Sequence, residues 1–176
     1  MRPPEFRYHP DPLRTGVVKR SNVACVCCGR SRGFIYTASV YSTHDLNEKL
    51  CPWCIANGSA ATKFDASFND DQPLLQKGIA EPIVSEVAYR TPGYVSWQQE
   101  SWLSHCNDAC EFHGDASVTE VATASAETKK EWFAEYNLSE VEWREITSRY
   151  APGGVPAMYK FVCRHCGRTL FGWDCS

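Results

Sequence analysis

The 176-residue chain has no apolar run approaching the length of a bilayer crossing, so the sequence offers no transmembrane helix. Its opening stretch, MRPPEFRYHPDPLRTG, is proline-rich and charged and lacks the apolar centre of a secretory signal. Low-complexity segments are missing. So are a phosphate-cradling glycine loop, a His-Glu-x-x-His and a Gly-x-Ser-x-Gly, which leaves an enzyme reading with nothing specific to stand on. A basic surplus is missing too. The formal net charge is −3, whereas nucleic-acid binders usually carry an excess of Lys and Arg. These absences lead to the expectation of a soluble cytosolic protein with no membrane role and no catalytic residues.

The chain does have cysteine, 10 of them, and a strong apolar complement: 43% hydrophobic, with 6 Trp, 8 Tyr and 8 Phe. That suffices for a packed core, in one domain of ordinary size or two small ones. In a reducing compartment such cysteine density points to metal rather than disulfides. Zinc sites made only of thiolates would each add a charge of about −2, making the chain more acidic still.

The first twenty residues read as an extended lead-in, because Pro3, Pro4, Pro10 and Pro12 block regular structure. His9 and Asp11 lie close together there, but no nucleophile accompanies them, so this segment is expected to wrap the fold. NVACVCCGRSRGFIYTASVY then has β-type runs around Cys-x-x-Cys-Gly, the pattern of a hairpin tipped by a zinc knuckle. LCPWCIANGSAATKF repeats Cys-x-x-Cys ahead of a short helix, and NDDQP reads as a linker. Pro82 suits the first turn of a helix that Pro92-Gly93 stops. Ser96 and Gln99 have capping-box spacing and predict a helix over SWQQESWLSHC. Ser125 should cap another from about Ala126 to Tyr136, and Ser139, with Glu142, one more. AMYKFVCRHCGRTLFGWDCS ends the chain as strand, Cys-x-x-Cys-Gly, strand.

Tetrahedral zinc takes four thiolate or imidazole ligands, and structural sites gather them as close pairs. Four pairs are available: Cys25/Cys28, Cys51/Cys54, Cys106/Cys110 and Cys163/Cys166. Eight ligands make two sites, most simply by sequential pairing, although the pairs could also cross. CVCCG matches CRHCG position for position, which makes Cys27 the spare and the counterpart of His165. Cys27 is expected to be a small buried hydrophobe, and Cys175 is a second spare. At Cys106/Cys110 the signal is weaker, since His105 or His113 could replace one thiolate. CPWC at a helix start also fits a redox dithiol, but no thioredoxin-like strand-helix-strand frame surrounds it.

Glu127, Glu131 and Glu135 recur every four residues on one predicted helix. They form either a solvated face or, with Glu140, Glu142 and Glu145, an acidic surface suited to a basic partner. Trp97, Trp102, Trp132 and Trp143 are expected in the core.

Taken together, FRYHPDPLRTG, CVCCGRSRGFIYT, LCPWCIANGSAATKFDASF, RTPGYVSWQQESWLSHCNDACEFHG and YKFVCRHCG resemble the CbrC family of small bacterial proteins, from about Phe6 to Gly167. That family is associated with tolerance to a DNase-type colicin. The resemblance implies a role in resisting a toxin and carries the cysteine pairs over as a zinc framework; it carries over no active site. DNase toxins are basic because they grip phosphate, and an acidic chain would complement them.

The sequence thus predicts an α+β fold of two zinc-knuckle β-hairpins and a small helical body, stapled by two structural Zn2+ sites. Residues 1–72 would form a lead-in and zinc-ribbon-like unit. Residues 73–176 would form a helical segment plus the C-terminal knuckle hairpin, packed with the first as one globule. The expected function is a binding factor that neutralises a nuclease toxin domain. The runner-up is a nucleic-acid-binding or regulatory zinc-ribbon module using Arg14, Lys19, Arg20, Arg30 and Arg32. A thiol oxidoreductase at Cys51/Cys54 comes third.

Overall fold

The computed structural model describes residues 2–175. The proline-rich lead-in has no regular structure, yet it is anchored: Phe6, Tyr8 and His9 are all buried. Tyr8 donates its hydroxyl to Asp108 Oδ1 (2.8 Å), and its carbonyl accepts the Phe112 amide (2.8 Å). The lead-in therefore wraps the fold, as expected.

Strand β1 (Val18–Arg20) pairs antiparallel with β2 (Phe34–Tyr36), and the loop between them carries CVCCG. The short helix expected after CPWC is two helices, α1 (Pro52–Ala56) and α2 (Ser59–Phe64), separated at Asn57 and Gly58. The stretch read as a linker, NDDQP, runs into a further turn of helix, α3 (Gln72–Gln76), with Pro73 in its first turn, where the missing amide costs nothing. Helix α4 (Glu81–Arg90) likewise places Pro82 in its first turn. A two-residue hairpin, β3 (Ser104–His105) and β4 (Asp108–Ala109), leads into β5 (Glu111–Asp115).

Helices α5 (Val118–Ala122), α6 (Ala126–Tyr136) and α7 (Glu140–Ser148) follow, then β6 (Ala157–Val162) and β7 (Thr169–Asp174). Ser125 caps α6, and Ser139 with Glu142 forms the expected capping box of α7. Ser117 and Glu120 make a second box at α5. The result is a mixed α+β fold of small sheets and short helices. Among the described residues, no helix is long and apolar enough to cross a membrane.

Strands β5, β6 and β7 form an antiparallel sheet in that order, packed on both faces. Side chains alternate along β6: Ala157, Tyr159 and Phe161 join Trp102, Tyr94 and Phe112 on one side. Met158 turns to the other, with Trp132, Trp143, Tyr150 and Phe171 under α5 to α7. A third cluster fills the N-terminal part with Val18, Tyr36, Leu50, Ile55 and Phe68 around Cys25, Cys51 and Cys54.

One predicted helix does not form. Ser96 does not open a capping box; its hydroxyl donates to Asp174, as do the Trp97 and Gln98 amides. A carboxylate from β7 thus takes the donors that a first helical turn would present. The segment beyond is irregular, pinned where the Tyr94 hydroxyl bridges the Ser101 amide and carbonyl. Trp97 is left 57% exposed rather than in the core, while Trp102, Trp132 and Trp143 are buried as expected.

His9 is fully buried between two partners. Nδ1 lies 2.8 Å from the Pro92 carbonyl, which can only accept, so Nδ1 carries the proton and Nε2 accepts from Thr15 Oγ1 at 2.7 Å. Burial lowers its pKa to about 4 against the small opposing pull of the Pro92 carbonyl. The unfolded chain takes up this proton below about pH 6.5, so the stability from neutral His9 is complete above that pH and is lost as pH falls toward about 4. Between pH 7.5 and 5.0 the expected loss is about 2 kcal/mol, absent in His9→Asn. Urea midpoints of the two proteins at both pH values check this; equal pH dependence would refute it.

Candidate metal centres

The two knuckles use one backbone solution. The Cys25 amide donates to the Arg30 carbonyl (3.0 Å) and the Gly29 amide to the Cys25 carbonyl (2.7 Å). At the other end, the Cys163 amide donates to Arg168 (2.8 Å) and the Gly167 amide to Cys163 (3.0 Å). Gly29 and Gly167 sit at φ +70° and +72°, the left-handed region where a side chain is penalised. The turn brings the first and fourth residues of each motif to one side.

Cys25, Cys28, Cys51 and Cys54 form the first centre, with every ligand atom within 4.8 Å of the others. The Sγ–Sγ separations Cys51–Cys54, Cys25–Cys54 and Cys28–Cys51 are 3.6, 3.8 and 3.9 Å. A tetrahedral ion with metal–sulfur bonds of about 2.3 Å needs edges of about 3.8 Å, so the four thiols fit one. Cys25, Cys51 and Cys54 are buried and Cys28 is half-buried. Cys25 is pulled well below the usual thiol range, first by the Cys51 thiol and then by backbone amides that donate to it. Cys51 is pushed up by its contact with Cys25 and by burial, so the two thiols share one proton-bearing contact. Cys27 points elsewhere, toward Ser59 Oγ at 3.5 Å, and is half-buried rather than fully enclosed.

The second centre is His105, Cys106, Cys163 and Cys166, again within 4.8 Å. His105 Nδ1 lies 3.1 Å from Cys106 Sγ and 3.5 Å from Cys166 Sγ. The nitrogen–sulfur edge of a mixed tetrahedron is about 3.6 Å. This corrects the expected ligand Cys110. Ser104 pairs with Ala109 and His105 with Asp108, leaving Cys106 and Asn107 as a two-residue turn at φ +53° and +58°. His105 and Cys106 therefore stand at the tip, and the returning strand carries Cys110 back into the core. There its amide donates to Leu103 and its carbonyl accepts the Trp102 indole N–H (both 2.9 Å). Cys110 is fully buried, and burial keeps its thiol protonated. His113 is not in the set; its Nε2 faces Glu111 at 3.2 Å. His165, the counterpart of Cys27, reaches Asp108 Oδ2 at 2.8 Å. Cys106 and Cys166 are exposed, so this centre is more open than the first.

The acidic residues are mostly engaged within the chain. Glu131 pairs with Arg168 and faces His105, Glu135 pairs with Lys77 (2.7 Å), and Glu140 meets Lys129 and Arg144. Glu142 is held in its capping box. Glu127 and Glu145 are exposed and enter no ion pair among the described residues. On the basic side, Arg14 binds the His113 carbonyl, while Arg20 and Arg32 lie over Phe34 and Trp53 at 5.5 and 5.2 Å. Lys19, Arg20 and Arg30 are exposed near the first knuckle.

The ligand assignment separates two cysteines four positions apart. Cys110→Ser should leave the bound metal per chain unchanged, while Cys106→Ser should remove the metal of the second centre. Elemental analysis of the purified variants checks this, and loss of metal on changing Cys110 would reverse the assignment.

The comparisons with known proteins agree on family. A family model described as an uncharacterised protein family, UPF0167, matches residues 3–175. The UPF0167 protein PA1536 of Pseudomonas aeruginosa is 51% identical over 172 residues, covering 97% of this chain and 96% of its own. UPF0167 proteins of Mycobacterium bovis and Mycobacterium tuberculosis are each 40% identical over 169 residues, covering 95% of this chain and 90% of theirs. No solved structure matches the chain. The expected CbrC membership is corrected by these matches, which name UPF0167 and give no link to CbrC or to colicin tolerance. The chain belongs to the UPF0167 family.

Proposed function

We propose that the protein is a zinc-stapled binding factor whose two centres hold Zn2+ for structure and whose surface engages a basic protein. The observation that carries this reading is the completeness of both donor sets. Each supplies four thiol or imidazole donors, which leaves no position for water or substrate on a tetrahedral ion. Each also joins stretches far apart in sequence. Thiolate-rich tetrahedra suit zinc, with iron as the alternative for the all-sulfur set. When bound, the metal would supply cross-linking and charge balance. Closed sites of this kind contribute about 10 kcal/mol or more of apparent folding free energy.

The partner class follows from charge alone, since the family match replaces the resemblance that implied toxin tolerance. The chain is acidic at −3, and filling both centres with zinc would add further negative charge. Among the described residues, the exposed Glu127 of α6 and Glu145 of α7 make no direct ion pair, although the Arg168 charge lies near enough to act on Glu127. A basic nuclease domain, such as a DNase toxin, is the partner this chemistry suits. A second reading has one observation in its favour: the exposed Lys19, Arg20 and Arg30 beside the first knuckle, where an anionic strand would lie.

One titration series separates the two. Zinc-loaded protein is added to a basic DNase domain, and separately to duplex DNA, at low and at high salt. Neutralisation predicts stoichiometric loss of nuclease activity, with affinity about tenfold weaker in Glu127→Lys/Glu145→Lys. DNA affinity that falls steeply with salt, together with no nuclease binding, would replace the first reading with the second.

A further inference from the structure

We propose that Glu131 is a positioning residue for the second metal centre, a carboxylate on α6 that fixes the ring of His105. The proposal rests on that centre being metal-loaded. His105 turns Nδ1 toward the thiols of Cys106 and Cys166. A neutral imidazole that gives one nitrogen's lone pair to a metal keeps its proton on the other, here Nε2. The acceptor that Nε2 faces is Glu131 Oε1, at 3.6 Å, within ion-pair reach though long for a hydrogen bond. The other carboxylate oxygen, Oε2, is buried and has no partner, so the group has acceptor capacity left over.

Arg168 binds the same carboxylate. It follows Gly167 directly, and its own carbonyl takes the Cys163 amide that closes the knuckle. Glu131 therefore touches both halves of the centre: the imidazole at the tip of the β3–β4 hairpin and the cation of the C-terminal knuckle. Metal-ligating histidines generally donate their second N–H to an oxygen acceptor, which selects the tautomer, stops the ring turning and raises its basicity. The first centre has no imidazole and needs no such group. On this account Glu131 has its place on α6 because of the metal centre, and helix and centre hold each other in place.

A plain surface ion pair with Arg168 is the competing explanation, and three variants of the full chain separate the two. Zinc affinity at the second centre is measured by competition with a chromophoric chelator, and the His105 ring is followed by proton–nitrogen NMR. Glu131→Leu should weaken zinc there about 10–100-fold and disturb the Nε2–H signal, with the first centre still loaded. Glu131→Gln should keep most of the affinity, because an amide oxygen still accepts from a neutral imidazole. Arg168→Ala, which removes the ion pair but leaves the acceptor, should cost less than Glu131→Leu. Equal affinity in Glu131→Leu and the native chain would overturn the proposal, as would equal losses in Glu131→Leu and Arg168→Ala. A native chain that keeps only one zinc would remove the metal reading first, and this inference with it.

Discussion

Four donor atoms held within 4.8 Å of one another, drawn from two remote stretches of chain, form the constraint on which the architecture turns. Four thiols, three of them buried, with three Sγ–Sγ separations of 3.6 to 3.9 Å, gain little by packing against one another, since a thiol is a weak donor and a weak acceptor. The arrangement becomes intelligible when the thiols are ligands. Everything near the first centre conforms to that. The β1–β2 hairpin presents one pair from its connecting loop, α1 presents the other from its first turn, and the N-terminal core fills in around both. At the second centre two hairpins meet tip to tip, and the antiparallel sheet of β5 to β7 grows out of the same strands.

Much of this was legible in the sequence where a local rule coincides with the tertiary demand. Cys-x-x-Cys-Gly specifies its turn by itself, because the glycine is needed at positive φ and the flanking strands alternate as a hairpin should. The capping boxes at Ser139, and the bounds of α6, follow from side chains that bond amides three residues away. Failures occurred where a distant residue overrode a local pattern. Ser96 has the spacing of a helix cap, yet Asp174, some eighty positions later, binds its hydroxyl and the two following amides. Cys106 and Cys110 have the spacing of neighbours on a helix, but the chain between them is a reversal. A signal for that reversal was available in the adjacent Cys106-Asn107, since asparagine tolerates the left-handed conformation that a two-residue hairpin turn requires.

Distance along the chain is not what distinguishes the two centres. Cys25 and Cys54 are 29 residues apart, and His105 and Cys166 are 61, about one doubling. Loop-closure entropy makes that doubling worth only about 0.6 kcal/mol, small against a metal-binding free energy of about 10 kcal/mol or more. Accessibility differs far more. Three of the four ligands of the first centre are buried, while Cys106 and Cys166 of the second are exposed. A bound metal in the first centre would be sheltered by the N-terminal core. In the second, protection has to come from the groups around the ligands: Asp108, which receives His165, Arg164 and the Tyr8 hydroxyl, and Glu131 with Arg168.

These surrounding groups also tie the second centre to the rest of the fold. Tyr8 belongs to the lead-in, Asp108 to β4, and Arg164 and His165 to the C-terminal knuckle, so one carboxylate gathers the two ends of the chain beside the metal ligands. Asp108 has its pKa lowered from the ordinary carboxylate value. Burial opposes this, but the Tyr8 hydroxyl, His165 and the Arg164 charge together outweigh it. A carboxylate satisfied from three sides is expensive to uncover, because removing any one donor leaves the others facing an unbalanced charge. The long proline-rich lead-in, which has no regular structure of its own, thereby acquires a fixed path. Its order is supplied by anchors to the rest of the fold, Tyr8 on Asp108, His9 between Pro92 and Thr15, and the Tyr8 carbonyl on the Phe112 amide.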